Sequence, residues 1–241
     1  MLQTVAAESL KSYLSAASKD LTQLEYQEIA RRFRSLAEAC VNDIWRVHKG
    51  ELYLALNGIE VATEGSAVNT STAVGFLVEE FIVKQLPPIF STGGRATGNS
   101  AFDFTYDSDP KIKLLVNLKV EKNTSNNTGI VAGNILRNEY LSDTRPRLYL
   151  ILKSKYHIDE TRSTLIFDGL ESYFLESFIT TRGGLKSDRR SWSEEFKILS
   201  GRLQLPAAKI LSESGEATIP SPNKIREFIE NLAANLKSSR E

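Results

Sequence analysis

Three short stretches near the middle of the chain carry the residue types that hydrolysis of a phosphodiester needs. They are Gly75-Phe-Leu-Val-Glu79-Glu80, Phe102-Asp103-Phe104 and Asn117-Leu118-Lys119. In such a reaction carboxylates hold Mg²⁺, which activates a water and stabilises charge on the phosphoryl oxygens. A lysine near that water positions it and lowers its pKa. The three stretches together supply both carboxylates and a lysine.

The elements around these stretches can bring the side chains together. Residues 101–106 alternate around aromatic residues and predict a short strand, and residues 113–120 (KLLVNLKV) predict a second one. On a strand Asp103 points away from its two aromatic neighbours, whereas Asn117 and Lys119 share one face. If the two strands pair, these three residues converge, and Glu79 or Glu80 can join them from a helix predicted over residues 73–86.

At these residues the sequence resembles the PD-(D/E)xK nuclease superfamily and, within it, the type II restriction endonucleases. Asp103 matches the aspartate and Lys119 the lysine of that motif. Glu79 matches a glutamate on the preceding helix, because Gly75 stands before it at the spacing such helices often show; Glu80 is the alternative. The resemblance implies Mg²⁺-dependent, sequence-specific cleavage of double-stranded DNA. Asp103 is then the metal ligand, Lys119 positions or activates the water, and Glu79 is an auxiliary ligand or orienting residue.

One position departs seriously from the family pattern. Asn117 stands where the family has aspartate or glutamate, so that position, at the edge of the metal site, offers a carbonyl oxygen but no charge. Four explanations are open. The metal is held by Asp103, Glu79 and a backbone carbonyl, or Glu121, two residues beyond the lysine on the same face, supplies the charge. Otherwise the asparagine is an inactivating substitution, or the domain is a non-catalytic relative. A milder departure is Phe102 at the family's proline position.

The predicted element order supports a mixed α/β fold. Helix, strand, strand, helix and strand are predicted over residues 73–86, 101–106, 113–120, 130–141 and 147–153, followed by a strand at 164–167 and a helix at 168–179. Such alternation indicates a mixed central sheet flanked by helices, which in the family is the restriction-endonuclease-like core. A helix over residues 21–47 makes the N-terminal region helical. We therefore divide the chain into a helical region (1–65) and a nuclease domain with a helical tail (66–241), within one continuous fold.

Charge and symmetry bear on the partner. Lys plus Arg equals Asp plus Glu at 30 each, a balance that counts mildly against a non-specific nucleic-acid binder. Residues 182–202, however, are locally basic, although a solvated loop explains that segment as well. Arginine suits guanine and asparagine suits adenine in the major groove, and a palindromic site favours a homodimer. The candidate DNA contacts are Arg95, Asn123, Asn126, Asn127, Lys186, Arg189 and Arg190.

The cysteine and histidine counts bear on the cellular compartment and on the kind of metal site to expect. The single cysteine, Cys40, fits a reducing, cytoplasmic setting, and no signal peptide or membrane span is predicted. His48 and His157 are too few for a multi-histidine metal site, so we expect an oxygen-ligated metal and assign the histidines no role. Two alternatives remain open: a repair or recombination nuclease of the same fold, and a non-catalytic DNA-binding or interaction module on a degenerate nuclease fold.

Overall fold

The structure is a computed structural model. It describes residues 2–53, 70–92, 102–106, 109–123, 129–132, 138–142, 144–178, 198–199, 202–204, 219–227 and 230. The helices are α1 (Leu2–Ala16), α2 (Gln23–Val47) and α3 (Thr70–Lys84), with a 3-10 helix at Leu175–Phe178 and helical turns at 138–141 and 222–227. The strands are β1 (Glu51–Tyr53), β2 (Phe104–Tyr106), β3 (Lys113–Lys122), β4 (Gly129–Ala132), β5 (Arg147–Asp159), β6 (Thr164–Phe174), β7 (Ile198–Leu199) and β8 (Arg202–Gln204).

Five strands form a mixed central sheet in the order β1-β6-β5-β3-β2. The pair β3–β5 is parallel and the other pairs are antiparallel. A smaller antiparallel sheet has the order β4-β8-β7. The mixed α/β fold with a helical N-terminal region, predicted from the sequence, is therefore confirmed. The division at residue 65 stays a prediction, since residues 54–69 lie outside the described chain.

Helix α2 covers one face of the central sheet. It begins at a capping box in which the Thr22 side chain accepts from the Glu25 N–H and the Glu25 carboxylate accepts from the Thr22 N–H. Its apolar side is buried, and Trp45 donates from Nε1 to the Ser154 hydroxyl at 3.0 Å and stacks on Phe167 at 4.9 Å. The sheet residues on this apolar face are Leu114, Val116, Leu118, Val120, Leu148, Leu150 and Leu152, all buried.

The opposite face of the same two strands carries charge. Side chains alternate along a strand, so the odd-numbered residues of β3 point away from α2, and their register partners on β5 do the same. We call this the polar face and define it by Asn117, Lys119, Glu121, Lys153 and Lys155. This face also carries the buried residues Leu115, Tyr149 and Ile151, so the sheet is covered on both sides and its polar groups lie among core residues.

Two predicted helices are wrong. Residues 168–174 continue strand β6, where the pairing with β5 overrides the helical pattern of the segment. At the start of the segment predicted as helix at 130–141, the chain forms β4 (Gly129–Ala132), and among the described residues of that segment 138–141 are helical. The partner of β4 is β8, about 70 residues later, a pairing that no local pattern shows. The strand predicted over 101–106 begins only at Phe104, so Asp103 lies in a bend before it.

No helix in the described part of the chain combines the length and the apolar composition that crossing a membrane requires.

Candidate active site

Asp103 is held against strand β3 by two hydrogen bonds. Its backbone N–H donates to the Val116 carbonyl at 2.8 Å, and its Oδ2 accepts from the Leu118 N–H at 2.7 Å. Asn117 lies between those two β3 residues. The bend before β2 therefore fixes the Asp103 carboxylate next to the position where the motif has its second acidic residue.

Helix α3 reaches the same strand two residues further on. Glu79 Oε1 accepts from the Val120 N–H at 3.2 Å. Gly75, one helical turn earlier on the same side of α3, lies so close to β3 that a Cβ built there would be 2.8 Å from the Val120 carbonyl oxygen. Only glycine leaves room for such an approach of helix and strand. The glycine thus allows Glu79 to contact β3.

The two carboxylates therefore occupy consecutive outward N–H groups of one strand edge, those of Leu118 and Val120. These groups lie about 7 Å apart along a strand. Lys119 stands between them in the chain and projects from the polar face, partly exposed. The structure brings together three of the residues singled out from the sequence, namely Asp103, Glu79 and Lys119, whereas their catalytic roles remain predictions.

Asn117 is buried next to these groups and is incompletely satisfied. Its side chain is only 7% exposed, and its Oδ1 has no hydrogen-bond partner among the described residues. A buried acceptor left without a partner costs about 1–3 kcal/mol, so such an atom calls for an explanation. An amide oxygen is also a ligand that Mg²⁺ and Ca²⁺ accept. Within the described chain, no three histidine, cysteine, aspartate or glutamate side chains form a metal site by themselves.

Glu121 does not have the surroundings of a metal ligand. Its Oε1 accepts from Lys153 Nζ at 2.7 Å and from Lys155 Nζ, and the carboxylate is almost fully buried. Two ammonium groups on one carboxylate neutralise it and repel a cation. The idea that Glu121 supplies the charge missing at Asn117 therefore has little support in this geometry.

A buried network beneath Asp103 was missed by sequence reasoning. Glu176 Oε1 accepts from the Tyr140 hydroxyl and, at 2.8 Å, from the Tyr149 N–H, while its Oε2 is buried without a partner in the described chain. Burial raises the pKa of Glu176 to about 8. Burial also raises the pKa of Tyr149, and the Asp103 carboxylate adds to that shift. No local signal reveals this network, since its members are brought together by strand register.

The predicted DNA contacts are only partly covered by the structure. Asn123 is exposed at the end of β3, its N–H donates to the Tyr156 carbonyl at 2.9 Å, and its amide donates to Asp168 Oδ2 at 2.5 Å. The other candidates lie outside the described residues. They are Arg95, Asn126, Asn127, Lys186, Arg189 and Arg190.

Comparison with known proteins shows a similarity of structure but no match of sequence. No protein-family model matches the chain, and no curated protein does. Among solved structures the chain is similar to the NlaIV restriction endonuclease, with a TM-score of 0.44 and 12% sequence identity. The match covers 84% of this chain and 88% of that one. At this level only the course of the backbone is compared, so the roles proposed below rest on this chain's own residues.

Proposed function

We propose that this chain is a Mg²⁺-dependent endonuclease that binds double-stranded DNA and cleaves it at a specific site, as type II restriction enzymes do. One observation carries the proposal. The carboxylates of Asp103 and Glu79 are docked on the N–H groups of Leu118 and Val120, on either side of Lys119. Two fixed carboxylates beside a lysine are the groups that phosphodiester hydrolysis needs.

The residues present fit a hard divalent cation. Asp103 and Glu79 supply carboxylate oxygens, and each carboxylate has lone pairs for more than one partner. Asn117 adds the buried amide oxygen that has no partner in the described chain. Mg²⁺ is usually held by one or two carboxylates, with water and substrate phosphates completing the shell, so a third acidic residue is not required. When bound, the cation would supply an activated water and charge stabilisation at the phosphate.

Lys119 is proposed to act on the attacking water. Lys119 lies in the chain between the two residues whose N–H groups hold the carboxylates, and its side chain projects from the polar face. There it would hold the attacking water by hydrogen bonding and favour loss of the water's proton. The N–H of Leu118 keeps the Asp103 carboxylate in one orientation, and the close helix approach at Gly75 does the same for Glu79. Such preorganisation reduces the reorganisation required when the substrate arrives.

Cleavage of duplex DNA implies a DNA-binding surface, an oligomeric state and a cellular compartment. Arg95, Asn126, Asn127, Lys186, Arg189 and Arg190 are the proposed contacts to bases and phosphates, together with the Asn123 region. A homodimer would place one active site on each strand of a palindromic duplex. The cytoplasm is the proposed compartment, because buried Cys40 is a free thiol.

Incubation of phage DNA with the protein tests the proposal. With Mg²⁺ we expect discrete fragments. With Ca²⁺ we expect the protein to bind DNA without cutting it, and with EDTA we expect no cutting. Asp103→Ala should be inactive with Mg²⁺. A smear, or cutting confined to branched or nicked substrates, would instead support a repair or recombination nuclease, and full cleavage in EDTA would refute the metal mechanism.

A second function is favoured by one residue. Asn117 lowers the negative charge of the site, which fits a non-catalytic DNA-binding module on this fold. In that case the parent protein binds duplex DNA but does not cut it under any metal. Asn117→Asp then decides between an inactivated site and a degenerate one, because restoring a carboxylate restores cleavage only where the other groups are intact.

A further inference from the structure

A second polar constellation lies further along the polar face, where Asn123, a candidate DNA contact, meets Asp168 and His157. His157 Nδ1 lies 2.7 Å from Asp168 Oδ1, and the Asn123 amide donates to Asp168 Oδ2 at 2.5 Å. The three residues come from β5, β6 and the end of β3. The imidazole is about half exposed, with 52% of its side-chain surface accessible, and its Nδ1 is the ring nitrogen that contacts Asp168.

The backbone is shaped to make this contact. The register between β5 and β6 shifts at Lys155 and Tyr156, which leaves Asp168 as the extra residue of a β-bulge. Gly169, next to it, has a φ of 146°, a conformation that side chains rarely adopt. Bulges re-aim side chains and are frequent near functional sites. Here the bulge turns Asp168 toward the imidazole.

The position relative to the candidate active site is defined by the strands. Lys119 is the register partner of Lys153, and His157 lies four residues further along β5 on the same face. That distance is about 13 Å, and each strand of a DNA duplex carries one charged phosphate for about every 3.4 Å of the helix axis. A duplex whose scissile phosphate meets Lys119 would thus have a later backbone phosphate near His157.

We propose that His157 binds a backbone phosphate of the DNA substrate through Nε2, with Asp168 and Asn123 as positioning residues. The inference rests on the proposed function. Asp168 accepts from Nδ1–H, which fixes the orientation of the ring, and the ring donates Nε2–H to a phosphate oxygen. A metal is the weaker occupant, because no group of three ligating side chains exists in the described chain.

Among the charged groups around His157, Asp168 is the anion in direct contact with the imidazole. On its own strand, Lys155 is bonded to Glu121 and lies 3.9 Å from Glu171, and Asp159 is bonded to Arg162. From the end of β3 the neighbouring group is the neutral amide of Asn123.

Fluorescence anisotropy of a labelled duplex, with Ca²⁺ replacing Mg²⁺ to prevent cutting, tests the proposal. His157→Gln should bind about tenfold less tightly than the parent, because the charge-assisted contact to a phosphate is lost. It should also lower the salt slope by up to about one. His48→Gln is the matched control, because His48 lies at the end of α2, which covers the opposite face; it should behave as the parent.

Asp168→Asn supplies a second test that leaves the imidazole in place. It should weaken binding, because the carboxylate that fixes the ring is gone, and its effect should not add to that of His157→Gln. A His157→Gln protein with the parent's affinity and salt slope would overturn the inference and leave the proposed function intact. A parent protein that binds no duplex at any pH would overturn both.

Discussion

Gly75→Ala is the substitution that tests most directly how α3 is placed on the sheet. In an exposed helix interior, replacing glycine by alanine stabilises by about 0.5–1 kcal/mol. At Gly75 the added Cβ would lie 2.8 Å from the Val120 carbonyl oxygen, whereas ordinary contact begins at 3.4 Å. The helix must therefore retreat by about 0.6 Å, the difference between those two distances. The substitution is then expected to destabilise the protein instead of stabilising it.

The retreat has a calculable effect on the candidate site. Glu79 Oε1 accepts from the Val120 N–H at 3.2 Å, so a shift of about 0.6 Å in the same direction lengthens this contact to about 3.8 Å, beyond hydrogen-bond range. Overpacking of this kind costs about 1–3 kcal/mol, which exceeds the gain in helix propensity. Misplacement of a catalytic group by a fraction of an ångström to 1 Å lowers rates by about 10- to 100-fold.

Three measurements on Gly75→Ala check the argument. Urea unfolding should show a loss of about 0–2 kcal/mol, the overpacking cost less the propensity gain. Cleavage with Mg²⁺ should fall about 10- to 100-fold, while duplex binding with Ca²⁺ changes little. Leu77→Ala, on the exposed side of the same helix, is the control and should retain the parent rate. A Gly75→Ala protein that is more stable than the parent and cuts at the same rate would refute the close approach of α3 to β3.

Three further predictions concern single side chains. Lys119→Ala should reduce cleavage at least about 100-fold with duplex binding retained, whereas Lys122→Ala, on the other side of the same strand, should not; equal rates would mean that the active site is misplaced. Asn117→Asp should lower the Tm of the metal-free protein, because it buries a charge beside Asp103, and should increase the rise in Tm on adding Mg²⁺; an Mg²⁺ response equal to that of the parent would remove Asn117 from the metal site. Glu176 holds its proton in the folded state up to a pH of about 8 but only to about 4.5 when unfolded, so its contribution to stability is full below about 4.5 and is lost as pH rises to about 8. At about 1.4 kcal/mol per pKa unit this amounts to roughly 5 kcal/mol, and urea unfolding of Glu176→Gln should lack that slope.

The sequence by itself determined the elements with strong local signals. The apolar repeat and the capping residues Thr22 and Glu25 define α2 without reference to the rest of the chain, because a helix is closed by its own hydrogen bonds. Period-two alternation likewise showed that Asn117 and Lys119 share a face of β3. The spacing of Gly75 and Glu79 indicated their joint position on α3, since residues four apart lie on one side of a helix.

Only the tertiary structure decided which partners these residues meet. The docking of Asp103 and Glu79 on neighbouring N–H groups of β3 depends on a bend before β2 and on a helix more than 30 residues away in the chain. The pairing of β6 with β5 turned a segment with helical periodicity into a strand and created the bulge at Asp168. Such contacts are set by register and packing between distant segments, and they cannot be predicted from the residues next to a side chain in the sequence.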